Sequence, residues 1–269
     1  MKKLRIATVS MLMFVVSWTQ AHEFWIRPEI FTPQIGSDVS LALRVGENFK
    51  GEPRPREKGH IRKFAWVGAS GTPQDVAGDE GKSPAGKFTL KESGVVTAGY
   101  RSQQRSLVLE PEKFHLYLRE EGLEHVIRER EATGKSQTPG RETYSRCAKT
   151  LLCTGEPERG GHDRRLGFPL ELVALQNPYA LAADGKLEVL VLHEEKPLAD
   201  AMVQLFQEDR AEAHVRLRTN AEGRVTLTLK PDAVYLVAVV HMKAAAAGLD
   251  ADWESLWASL TFATRAKPQ

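Results

Sequence analysis

Scarcity is the most informative property of this sequence. Cysteine occurs twice, at 147 and 153, too few to staple a small disulfide scaffold. Six residues of separation place the two roughly 9 Å apart along a helix and near 20 Å along a strand. A disulfide needs Cα atoms within about 7 Å. No turn former lies between them, from Ala148 to Leu152, so two thiols are expected. Aromatic residues make up only 7% of the chain, which leaves no obvious stacking platform for a polymer. No segment reaches the roughly eighteen consecutive apolar residues of a membrane-spanning helix.

Charge of one sign is also lacking. The chain carries 37 cations against 35 anions. Three of the cations, Lys2, Lys3 and Arg5, precede an apolar run from Ile6 to Val16 and a short polar stretch from Ser17 to Ala21. That order is the one a secretory signal peptide has, with a cut expected after Ala21. Removing residues 1–21 leaves 34 cations against 35 anions, a balance that argues against nucleic acid as a partner. The expected location is therefore periplasmic or secreted, with no membrane span in the mature form.

Catalytic motifs fail when checked residue by residue. Gly81-Lys82-Ser83 ends like a phosphate-binding loop, but Val76 stands where the leading glycine belongs. His193-Glu194 begins like a zinc-protease motif, yet no second His follows at the required position and Pro197 forbids the helix. No Gly-x-Ser-x-Gly elbow is present. The expectation is a protein that is not an enzyme.

What is present is strand texture. Asp38 to Val45 alternates, with Val39, Leu41, Leu43 and Val45 on one face. Ile61–Val67, Gly94–Tyr100 and Ser106–Leu109 read as further strands, separated by Gly/Pro-rich connections at 51–59 and 68–84. Pro111 opens a helical stretch to about 132, interrupted at Gly122 as one kinked helix or two short ones. Glu142 to Thr154 cannot be assigned by period. Beyond Asn177-Pro178 the strands Lys186–His193, Ala199–Gln207, His214–Thr219, Arg224–Leu229, Val234–Met242 and Trp253–Thr264 follow at short intervals. Asn220 to Gly223 is expected to close a hairpin. The fold class is mainly β: two β-sandwich-like modules with a short helical segment inserted near 111–132. The expected domains are a signal peptide at 1–21, an N-terminal β module at 22–177 and a C-terminal Ig- or transthyretin-like sandwich at 178–269.

The chemistry that survives is the new N-terminus. A chain beginning at His22 offers an α-amine and an imidazole together. Such an amine has a pKa near 7.7–8 and yields its proton to a metal at modest cost. Amine, imidazole and one further imidazole suit Cu, Ni or Zn rather than Mg or Ca. The arrangement resembles the histidine brace of secreted copper proteins; the alternative is a cut that happens to fall before a surface His. His241, at the end of a strand, is the first candidate partner, or else a His capping that strand. Asp250 and Asp252, in the following loop, are oxygen donors or solvated charges. His60, in a Gly/Pro-rich loop, is a weaker candidate. Phe24, Trp25, Trp253 and Trp257 are expected to be core, and near His22 they would pin the terminus.

Several motifs are similar to the DUF4198 family of exported bacterial proteins: Ala-His-Glu-Phe-Trp-Ile-Arg-Pro (21–28), Leu-Arg-Val-Gly-Glu-Asn-Phe (43–49), residues 112–123, residues 144–151, Val-His-Met (240–242) and residues 251–262. The resemblance implies a periplasmic protein of no established activity, often labelled as a component of nickel or cobalt uptake. Lys196 to Arg224 separately resembles transthyretin-like or carboxypeptidase-regulatory-like sandwiches. The leading expectation is a periplasmic metal-binding protein for Ni, Co or Cu, acting in uptake, delivery or buffering, with a membrane metal transporter as its implied partner. The alternative is a structural or adhesive β-sandwich that binds a protein or glycan without metal. A copper-dependent oxidase ranks third.

Overall fold

The computed structural model describes residues 22–182 and 184–265; the expected signal peptide lies outside the described residues. The chain is mainly β. In order, the first strands are β1 (Glu23–Pro28), β2 (Asp38–Glu47), β3 (Lys50–Arg54), β4 (Ile61–Val67), β5 (Pro73–Asp75), β6 (Gly86–Thr89), β7 (Gly94–Ser102) and β8 (Arg105–Leu109). Helices α1 (Pro111–Glu120) and α2 (Glu124–Ala132) follow. After them come β9 (Gly140–Thr154), β10 (Leu170–Ala174), β11 (Lys186–His193), β12 (Lys196–Pro197) and β13 (Met202–Gln207). The chain closes with β14 (Arg210–Arg218), β15 (Arg224–Thr228), β16 (Val234–Ala244) and β17 (Trp253–Ala263).

These strands form three sheets. The central one has nine strands in the order β14-β13-β16-β17-β9-β7-β4-β5, with β8 also paired to β9. One face packs against the sheet of β1, β2, β3 and β6, closing a core that includes Ile26, Leu41, Phe64, Trp66, Phe88 and Leu152. The opposite face packs against the sheet of β10, β11, β12 and β15, around Leu151, Leu172, Val189, Val237 and Leu260. Two sandwiches thus share one middle layer. The expected boundary at 177/178 falls between β10 and β11, which pair with each other, and the central sheet takes strands from both sides of it.

Burial explains which elements were legible. Strand β2 buries Val39, Leu41 and Leu43 alternately. β9 lies mid-sheet with both faces covered and a run of eight buried residues from Cys147 to Thr154, so it carries no period to read. It pairs antiparallel with β7 and parallel with β17. The parallel register runs from Glu142↔Trp253 to Thr150↔Thr261. Cys147 and Cys153 are both buried and not in a disulfide.

The helical stretch is two helices. Pro111 occupies the first turn of α1, and Gly122, at φ +67°, ends it. Phe114, Tyr117 and Leu118 pack with Val240, Met242 and Trp253, setting the helices on the same face of the central sheet as β1. Two sequence expectations are corrected. The connections 51–59 and 68–84, expected as loops, contain strand: residues 51–54 belong to the edge strand β3 beside β2, and Pro73–Asp75 form β5 beside β4. The turn Asn220–Gly223 does form, with Gly223 at φ +70° and the Asn220 side chain accepting from the amides of Glu222 and Arg224. It is no hairpin, because β14 pairs with β13 in one layer and β15 with β11 in another. The turn carries the chain between sheets.

Candidate functional site

Pairing of β1 with β2, Phe24 opposite Val45, brings His22 to the mouth of a cavity of about 380 Å³ on the β1-facing side of the central sheet. His60 lines the same cavity, delivered by the short 3-10 turn Lys58–His60. Its backbone is pinned there: the His60 carbonyl accepts from the Gln103 amide at 2.8 Å and the Tyr100 hydroxyl at 3.2 Å. Its Nδ1 is held by the Glu57 carboxylate, which leaves Nε2 for another partner. His22 differs. Its Nδ1 is buried and 3.2 Å from Glu47 Oε1, but at an angle that makes no hydrogen bond. In a chelate with the α-amine of the same residue, Nδ1 is the ring nitrogen that reaches, because it closes a six-membered ring with the metal.

Strand β9 supplies the cavity floor. Residues two apart on a strand share a face, so Glu142, Tyr144 and Arg146 point into the cavity together. Arg146 lies over the rings of Phe24, at 5.2 Å, and Tyr144, at 5.6 Å. Its Nη1 is buried without a hydrogen-bond partner. Glu142 is 1% exposed. Its Oε1 accepts from the Ser255 hydroxyl and from Tyr117 at 3.4 Å, while Oε2 is buried with no partner. Burial pushes its carboxyl up to about 7 against the opposing hydrogen bonds. Burial likewise raises Glu23 to about 7, helped by the neighbouring Glu47 charge, and Tyr100 to about 12.

The other expected ligands lie elsewhere. On β16 the side chains alternate: Val240 sits opposite Trp257 on the cavity side, and His241 opposite Leu256 on the reverse side. His241 therefore packs against His193, ring centroids 4.3 Å apart and planes tilted by 51°, and stands 6.5 Å from His125. Burial and these two rings lower it to about 4. Asp250 and Asp252 are taken by Arg141, at 2.9 and 3.2 Å, with Lys135 3.5 Å from Asp252. These pairs clamp the start of β17 to the start of β9. The structure thus brings His22 and His60 together and separates both from His241, Asp250 and Asp252. Among the described residues, no three His, Cys, Asp or Glu side chains are gathered so as to hold a metal ion. Among the described residues, no helix is long and apolar enough to cross a membrane.

The chain belongs to DUF4198, a domain of unknown function, whose family model matches residues 19–243. Among curated proteins none matches the chain. Two solved structures are similar at low identity. One is a two fibronectin type-III domain segment from chicken tenascin, 10% identical, covering 81% of this chain and 90% of that one with a TM-score of 0.21. The other is the D0–D1 domain of intimin, 12% identical, covering 89% and 97% with a TM-score of 0.21.

Proposed function

We propose that the mature protein is an exported, non-enzymatic binding protein for a late first-row divalent ion, Ni, Co or Cu, acting in uptake, delivery or buffering. The observation that supports it is the meeting of His22 and His60 in one cavity, with Nδ1 of His22 buried and unbonded and Nδ1 of His60 held by a carboxylate. A carboxylate on one ring nitrogen orients a histidine so that the other can ligate. Cleavage after Ala21 would add the third donor, the α-amine, which lies outside any count of side chains. Three nitrogens suit these ions. His241, Asp250 and Asp252 are not part of the proposed set.

Calorimetric metal titration of protein beginning at His22 tests the reading. The expected result is one-to-one binding that disappears in His22→Ala and in a form with one extra residue ahead of His22. His60→Ala should weaken it, and His241→Ala should leave it unchanged. Affinity should fall below about pH 6, where protons compete for the amine and imidazoles. Equal binding by the native form, His22→Ala and the extended form would remove the site from consideration.

A further inference from the structure

The cavity is larger than an ion requires, and cationic side chains outnumber anionic ones along its wall. A water occupies about 30 Å³ of liquid volume, so an ion with a few waters would fill only part of about 380 Å³. That volume lies in the range of pockets for small organic molecules, roughly 300–1,000 Å³. Three guanidinium groups, Arg54, Arg105 and Arg146, face two carboxyls, Glu57 and Glu142. A wall with excess positive charge attracts an anion.

Two orphaned groups define what the anion must carry. Arg146 Nη1 is a buried donor with no acceptor, and Glu142 Oε2 a buried oxygen with no partner. Leaving such groups unmatched costs roughly 1–3 kcal/mol each, more when charged, so a ligand that pairs with them gains on that scale. Both project from the same face of β9 on either side of Tyr144. Trp257 and Phe24 complete a wall against which an apolar body can pack.

We infer that this cavity binds a small amino- or hydroxycarboxylate, its carboxylate on Arg146, its N–H or O–H on Glu142 Oε2, and its body against Tyr144 and Trp257. Such molecules bind without metal. They also chelate divalent ions, so His22 and His60 stand where they could complete the coordination of a chelated ion, but the ligand site does not depend on that.

The test is calorimetric titration of chelator-treated protein with two probes, citrate for the hydroxycarboxylates and L-histidine for the amino acids, repeated with nickel added. At least one probe should bind one-to-one without metal. Arg146→Gln should weaken it on the order of tenfold or more, the scale of a lost charge-assisted hydrogen bond. Arg146→Lys, which keeps the charge and loses the fork, should weaken it less. Glu142→Gln should weaken the probe's hydroxyl or amine contact while leaving Arg146 in place, and thermal unfolding of each variant separates misfolding from lost binding. Binding unchanged in Arg146→Gln, or no binding of either probe with or without nickel, overturns the inference. Binding of a probe with no binding of free metal leaves this inference standing and sinks only the metal proposal.

Discussion

Glu121 caps the end of α1 in a place that suits a neutral side chain. It is 8% exposed, its Oε2 accepts from Gln204 Nε2 at 2.8 Å, and Glu23 lies close enough to repel a charge on it. Burial, then Glu23, raises its carboxyl from the ordinary 4.5 to about 8. The folded protein therefore holds a proton at neutral pH that the unfolded chain has released. Stability from this group is complete below pH 4.5 and is lost as pH rises to about 8. At about 1.4 kcal/mol per pH unit, the loss is about 3 kcal/mol by pH 7 and about 5 kcal/mol above pH 8. Glutamine keeps the acceptor for Gln204 and has no charge to release. Glu121→Gln should match the wild type near pH 5 and be more stable by several kcal/mol near pH 9. Denaturant unfolding at both pH values measures this. A difference that is independent of pH, or a variant less stable at alkaline pH, would refute the argument.

Lys149 and Glu171 form an ion pair at 2.8 Å with side chains only 1% and 3% exposed, and Glu171 also accepts from the amides of Leu166, Gly167 and Phe168. Lys149→Met should cost about 3–5 kcal/mol by stranding the carboxylate, seen as a lower denaturant midpoint. At Gly140 an added Cβ would stand 2.2 Å from Phe114 Cγ. Gly140→Ala should cost about 1–3 kcal/mol by overpacking, read as a lower thermal midpoint. Cys147 and Cys153 are each 1% exposed, and burial pushes the Cys147 thiol up to about 12. Native protein should be inert to a thiol reagent, and two thiols should titrate in denaturant; none in denaturant would mean a disulfide.

What was legible depended on water. Ile61–Val67 and Lys186–His193 are legible with the boundaries they have, because apolar residues are bunched and end at turn formers. β9 is not legible, since burial on both faces erases alternation, and Glu142, Tyr144 and Arg146 are hidden with it. Once β9 is known to be a strand, their spacing of two places them on one face, so the signal was present but lacked its period. The His22–His241 pairing failed for a parity reason: one residue along β16 separates the two sides of the sheet, and sequence alone did not say which side β1 would cover. The place of His60 at the cavity is not legible, because a Gly/Pro-rich loop gives no hint that the Tyr100 hydroxyl will hold its backbone there.

The parallel pairing of β9 with β17 has a consequence for how the molecule comes into being. Its two partners are separated by more than a hundred residues, with Glu142 opposite Trp253, and every strand between the center and β14 is reached only through β17. High sequence separation of contacts slows folding, and here the slow step concerns the middle of the sheet rather than its rim. A fragment ending at 177 would expose the β9 edge that β17 covers, from Glu142 to Thr150, as an unmatched row of backbone donors and acceptors, a template for aggregation. The nascent chain has no finished half to rest on; it stays open until its last strand arrives.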